Sequence, residues 1–530
     1  MKQLLIDEDA MQGRKSSPEA SFFIYHDPYQ ELPRSSFYEA LEQQLDWEWV
    51  REATRGLYAE GIGRPSLDPV VFVKLMLVSY FENIVSDSEL AFRAADSLTL
   101  RRFLGYGLEE RTPERTTILK CRQRWPEEMF GAIFLQVLEQ LASQGLVKGE
   151  HLGADTVLID ANAAMDSLRH REFGVRYEEF VRALYSQEGR ETSASEVARK
   201  DAHRPRKGAN AEWVSATDPE AAVAVHPDGH TGLSYRLDAT VDLETGAVVQ
   251  IGAEPGNVRD SVDLPQRLEE ARANLAQLGL TPTDVTADRG HHSAENVVEI
   301  EAMGVSPVIR ARAQVGPAGF REQDFEYRGE EDEYRCPAGQ RLTRRGASAD
   351  GRERDQASRG TCQQCEHFGV CTKSAAGRSI VRAPRCEEVE RNRDRVHSVE
   401  GRYLLGQHRQ RAEGPWSYAK LYGGLARMGP RGLANAIKKA LLQGIGWNLM
   451  KLIAHLTGLR PRGWSQAAPA FLGAALAPLC AFFAALCWLW AAAIALGRAW
   501  PHRSRPETLL HQLILRWRYP RFEGPLSRGC

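Results

Sequence analysis

The order of elements between residues 154 and 312 constrains the fold more than any other feature of the chain. Ala154 to Asp160 (ADTVLID) reads as a strand. LSYRLDATVDLETGAVVQIGA at 233–253 reads as two strands about the turn Leu243-Glu244-Thr245-Gly246, a hairpin pattern. A helix follows over 261–278, then a short strand that stops at Asp288, a second helix, and a last strand, SPVIRAR, at 306–312. This succession predicts a mixed α/β (α+β) sheet with helices packed on it, not a repeating parallel unit. The charged stretch 165–220 lacks periodicity and reads as a helix followed by an excursion.

Within that order, DVTADRGHHSAEN at 284–296 is the most informative piece. Asp288 stands where a buried strand ends, Arg289-Gly290 turn the chain, and Ser293 reads as the N-cap of the next helix. A carboxylate at the C-terminal end of a buried strand, beside a helix start, is well placed to hold a cation over a sheet edge.

On either side of this region the texture is helical. Apolar residues recur at three- and four-residue spacings from Ser36 to Asp96, which predicts several short packed helices. TPERTTILKCRQRW at 112–125 reads as a loop, a cap and a helix whose Arg115, Lys120, Arg122 and Arg124 offer a cationic face suited to DNA. A net charge of −2 over 530 residues announces no nucleic-acid partner by itself, so such local patches carry that expectation. Residues 314–386 are rich in Gly, Arg and Cys, and helical periodicity resumes over 386–456. The predicted organisation is a loose N-terminus (1–30), a helical DNA-binding domain (31–145) and a first part of the core (150–312). A Cys-rich insertion (313–386), a second part of the core (387–459) and an apolar, basic tail (460–530) follow.

Three carboxylates, Asp155, Asp288 and Glu413, lie on separate predicted elements, too far apart in sequence for anything but a fold to unite them. Phosphodiester chemistry with paired divalent ions needs such a convergence, because hard cations take oxygen ligands. Asp160 is a rival first ligand, but its offset of five from Asp155 puts it on the opposite face of one strand.

The chain resembles the DDE transposases of bacterial insertion sequences, in the group with a cysteine-rich insertion. The matching residues are Asp155 with Ala161-Asn162-Ala163, Asp242, Asn257 with Asp260, and Asp288-Arg289-Gly290. Further on they are Arg409, Glu413, Lys420, Arg431-Gly432, Gln443 and Asn448-Leu449. GRPSLDPVVFVKLMLVSYF and TPERTTILKCR resemble the family's helical N-terminal domain. Val157, His291, Gly406 and Glu114 depart from the residues usual in the family.

The resemblance implies a ribonuclease-H-like core, Mg²⁺ or Mn²⁺, cleavage at transposon ends and joining of the freed 3′-hydroxyl to target DNA. It assigns Asp155, Asp288 and Glu413 as metal-binding catalytic residues and Arg409 and Lys420, with Arg115, Lys120 and Arg122, as DNA contacts. It also implies a homodimer or higher assembly on DNA. The alternative is a catalytically inactive DNA-binding descendant, tethered to a membrane by its tail.

Nine cysteines without a secretory leader fit a cytoplasmic protein, and five of them fall between 336 and 386. Cys336, Cys362, Cys365 and Cys371 have spacing suited to a structural Zn²⁺, with sulfurs expected within about 4 Å of one another. Finally, residues 467–497 carry no charge and exceed the roughly 20 apolar residues that span a bilayer. They predict a helix, followed by a basic tail of seven Arg against two Glu over 498–530.

Overall fold

The computed structural model describes residues 36–58, 66–186, 210–311, 324–347, 353–382 and 386–459, with a few positions between. The chain divides into two units, 1–463 and 464–530. The second unit, with the apolar segment 467–497 and the basic tail, lies outside the described residues. Among the described residues no helix is long and apolar enough to cross a membrane.

Among the described residues seven α-helices come first: α1 (Ser36–Gln44), α2 (Trp47–Thr54), α3 (Pro69–Phe81), α4 (Asp87–Asp96), α5 (Leu98–Leu104), α6 (Arg115–Arg124) and α7 (Glu127–Ser143). Local chemistry sets their ends. Asp46 and Ser97 accept from the backbone N–H three residues on, and Asp68 caps α3 with Pro69 at its first position. Every residue of α3 is buried, so it is the axis of this bundle. Its one basic residue, Lys74, donates to Glu42 Oε1 (2.5 Å) and the Phe103 carbonyl (2.8 Å), so its buried amine is not left unpaired.

Next come β1 (His151–Asp160), β2 (Leu168–His170), α8 (Tyr177–Ser186), β3 (Trp213–Ser215), β4 (Ala222–Val225), β5 (Thr231–Asp242), β6 (Val248–Pro255), α9 (Asp260–Gln277), β7 (Asp284–Ala287), α10 (Ala294–Ala302) and β8 (Ser306–Ile309). The main sheet runs β4-β5-β1-β7-β8, with β6 also paired to β5. β5 is antiparallel to both β1 and β6, whereas β1, β7 and β8 are parallel. Helices α9 and α10 make the crossovers that parallel strands require. This is the mixed sheet of a ribonuclease-H-like α/β fold.

One expectation needs correction. Asp155 does not open its strand: β1 begins at His151, because residues 151–154 pair with β7. Asp155 therefore sits mid-strand.

The cysteine-rich segment forms β9 (Glu326–Arg328), β10 (Glu333–Arg335), β11 (Arg341–Ala347), β12 (Glu353–Ala357) and β13 (Ser379–Arg382), an antiparallel sheet with its own small core. Phe325, Tyr334, Leu342, Ala357 and Ile380 fill that core. Four helices close the unit: α11 (Cys386–His397), α12 (Val399–Arg411), α13 (Glu413–Tyr422) and α14 (Leu433–Thr457). Ala412, between α12 and α13, is itself right-handed helical. The break falls there because Pro415 has no N–H to offer the Arg411 carbonyl.

Helix α14 is shared by the bundle and the sheet. A Cβ at Gly444 would lie 2.9 Å from Phe134 of α7 and 3.1 Å from Ile251 of β6, so this glycine lets both elements close on the helix.

Candidate active site

The last register pair between parallel β1 and β7 is Ala154 with Ala287. One step further stand Asp155 and Asp288, side by side on adjacent strands, which run about 4.8 Å apart. Glu413 opens α13, and Trp416 of the same helix donates from Nε1 to the Asp155 carbonyl at 3.4 Å. Asp155, Asp288 and Glu413 are near enough for their charges to act on one another, but among the described residues no three of the ligand atoms of Asp155, Asp288, His408 and Glu413 lie within 4.8 Å of one another. Burial raises the Asp155 carboxyl to about 6; His408 and the Thr156 N–H oppose that rise, and the charges of Asp288 and Glu413 add to it. Asp288, by contrast, is held below the usual carboxylate range, chiefly by His408 when that ring is protonated.

Asp160 lies on the other face, as its offset requires. Its Oδ1 is 3.3 Å from His226 Nε2 and 3.6 Å from His230 Nε2.

A layer of side chains behind the carboxylates fixes their backbone. Thr156 Oγ1 donates to Asp260 Oδ1 at 3.1 Å, and Arg236 pairs with both Asp260 and Asp263. Gly290 permits this: a Cβ there would sit 2.7 Å from Asp260 Oδ2. His291 is buried, and that burial pushes its pKa down. Asp242 has a different task. Its carboxylate accepts from the backbone N–H groups of Lys148, Gly149 and Glu244, which shapes the hairpin end.

In front of the carboxylates is an open cleft of about 330 Å³ lined by Asp288, Arg289, Arg310, His408, Arg409 and Glu413. Acidic ligands beside three arginines suit a phosphodiester, with cations on the phosphate and carboxylates on the metal side. Lys420 is exposed on α13, two turns from Glu413. On α6, Arg115 and Lys120 are exposed. Arg122, expected on the same face, is turned inward: it is paired with Asp87 at 2.5 Å and only 13% exposed. Its carbonyl also accepts from Lys438 of α14, so it ties helices together.

Sequence reasoning missed His408. Its ring is buried, with Nδ1 3.0 Å from Thr286 Oγ1 and Nε2 3.7 Å from Asp288 Oδ1. The available signal was the stripe Leu404, His408, Ala412, buried at every fourth position of the helix that leads to Glu413.

Cys336, Cys362, Cys365 and Cys371, with His367, line one small cavity against the core of the β9–β13 sheet. Burial pushes the Cys371 thiol up, and the neighbouring thiols add to the effect. Gln340 N–H donates to Cys336 Sγ (3.2 Å) and Arg378 N–H to Cys362 Sγ (3.3 Å). The sulfurs are not as tightly gathered as expected: no three lie within 4.8 Å of one another. Among the described residues, Glu150, His151 and Glu244 do meet that distance. That group is at the opposite end of β1 from the cleft.

Two family models match the chain. Residues 26–124 match a transposase domain (DUF772), and residues 335–453, which include Glu413, match a transposase DDE domain. No curated protein matches. With the helical bundle under the first match, and with the second running through the Glu413 helix that closes on the sheet, the two matches support an insertion-sequence DDE transposase.

Proposed function

We propose that this transposase cleaves DNA strands at the ends of its element and joins the freed 3′-hydroxyl to target DNA. Asp155, Asp288 and Glu413 would hold two divalent cations, Mg²⁺ or Mn²⁺. The observation that carries this reading is the register of β1 with β7, which stands Asp155 beside Asp288 under the first turn of α13.

The residues present fit such ions. Three carboxylates from separate elements feel one another's charge, a repulsion that cations would relieve, and His408 Nε2 is a buried atom with no hydrogen-bond partner. Bound there, the ions would activate the attacking oxygen and stabilise the leaving one. The chain's own part is positioning. Asp155 is fixed by the strand, Asp288 by the turn at Gly290, and Glu413 by a helix anchored through Trp416. Arg289, Arg310 and Arg409 face the cleft, where they would seat the phosphates of the scissile strand.

Asp288→Asn tests the reading. Metal-dependent nicking of DNA carrying the element's ends should be lost while binding to those ends is largely kept, since one anionic ligand goes and no phosphate contact is removed. Retained nicking would refute the assignment. Loss of nicking in the wild type as well would favour a DNA-binding descendant without catalysis.

For the four thiols, a structural Zn²⁺ is the occupant their chemistry favours. Two already accept backbone N–H bonds, and all four line one cavity together with His367. Metal analysis of reduced protein should give one zinc per chain. Finding none would exclude it.

A further inference from the structure

We propose that His408 is a ligand of the catalytic cation, through Nε2, and that it tunes the site toward a first-row transition ion such as Mn²⁺ over Mg²⁺. This inference rests on the reading of Asp155, Asp288 and Glu413 as cation ligands.

The tautomer follows from the neighbours. Thr286 Oγ1 has one proton, which we assign to the Leu152 carbonyl, 3.2 Å away. Toward His408 Nδ1, at 3.0 Å, the same oxygen is therefore an acceptor, so Nδ1 carries the ring proton. Nε2 is left with its lone pair. A threonine holding Nδ1–H while Nε2 is free is how proteins orient a metal-binding imidazole.

The ring has been given its place. It packs on Gly153 of β1, where a Cβ would stand 3.1 Å from Nδ1, so only glycine admits the imidazole this close to the strand. The side chain is 5% exposed, and Nε2 has no hydrogen-bond partner. A buried lone pair without a donor is costly unless something electropositive reaches it.

What Nε2 faces is Asp288 Oδ1, at 3.7 Å. That is too long for a hydrogen bond. Two ligands of one ion, each about 2.1 Å from it, stand about 3.0–3.5 Å apart, so a shift of a few tenths of an ångström would suffice. Imidazole nitrogen is a poor ligand for Mg²⁺ and a better one for transition ions, which gives the site its expected preference.

Pulsed electron paramagnetic resonance of Mn²⁺ bound to the full chain reads the nitrogen directly. Wild-type protein should show ¹⁴N modulation that disappears in His408→Gln and His408→Ala. Calorimetry should find Mn²⁺ weakened at least about tenfold in those variants and Mg²⁺ changed far less. Absence of ¹⁴N modulation in the wild type, or its persistence in both variants, overturns the assignment without recourse to any variant's stability. Asp288→Asn separates the two readings. If it weakens both ions while the wild type shows no nitrogen, only the role of His408 falls. If it leaves both affinities unchanged, the carboxylate reading falls, and this inference with it.

Discussion

Gly446 of α14 lies flat against the ring of Tyr80 from α3: a Cβ at 446 would stand 2.4 Å from the ring's Cδ1. Tyr80 is fully buried there, with the ring of Tyr418 from α13 6.0 Å away. The N-terminal bundle and α14 therefore meet at a contact that only glycine permits, with the Glu413 helix beside it.

Replacing Gly446 by Ala separates two effects of opposite sign. In an exposed helix the change would stabilise by about 0.8–1.0 kcal/mol. Here the methyl would force the Tyr80 ring aside, and overpacking a buried contact costs about 1–3 kcal/mol. Urea denaturation should show a net loss of stability. A gain would mean that the two elements are not closely packed in solution.

Asp155 sets a pH dependence in metal-free protein. Its carboxyl is raised to about 6 by burial, from an ordinary value of 3.8, so the folded state binds more protons than the unfolded between those values. Its contribution to stability is thus fully present below pH 3.8 and is lost as pH rises through 6. Asp155→Asn should raise the melting temperature at pH 7.5, and the difference should shrink toward pH 4. With Mg²⁺ or Mn²⁺ added the order should reverse, because only the wild type gains a ligand-bound state. Melting curves at two pH values, with and without metal, check both signs.

The cations of α6 divide by orientation. Arg115→Ala with Lys120→Ala should weaken DNA binding and reduce the slope of log affinity against log salt by about 2, one for each phosphate contact removed. Arg122→Ala should instead destabilise the fold, since it leaves Asp87 half-buried and without this partner, and should change the salt slope little. Equal salt slopes for the two variants would show that side-chain direction does not decide the matter.

The sequence makes some of this legible and hides the rest for identifiable reasons. Periodicity and the N-cap at Ser293 place Asp288 at a strand end, and the hairpin at 243–246 is where its turn residues put it. The β9–β13 sheet is hidden because its strands are short: Glu326-Tyr327-Arg328 and Glu333-Tyr334-Arg335 each show one aromatic between charges. Their rings meet, 5.1 Å apart and tilted by 51°, only once paired. His408 is hidden for another reason. Its environment is made by Gly153 and Thr286, more than 100 residues away, and no local pattern records that.

Two outer strands of the sheet, β6 and β8, are each met by an asparagine from a helix. Asn448 of α14 accepts from Val248 N–H (2.9 Å) and donates to the Val248 carbonyl (2.8 Å) on β6; Asn392 of α11 does the same to Ile309 of β8 (3.0 and 2.9 Å). Each side-chain amide replaces the next strand's backbone, so a free edge is closed by a helix and the helix is fixed in register with the sheet. Asn448→Leu keeps the size and removes both bonds. It leaves a buried N–H and a buried C=O unpaired, at about 1–3 kcal/mol each, so about 2–4 kcal/mol of stability should be lost. Hydrogen exchange gives the sharper check: the Val248 amide should lose protection in Asn448→Leu while Ile309 keeps it, and the converse should hold in Asn392→Leu. If either substitution exposes both amides equally, the two clamps are not independent and the sheet unfolds as one piece.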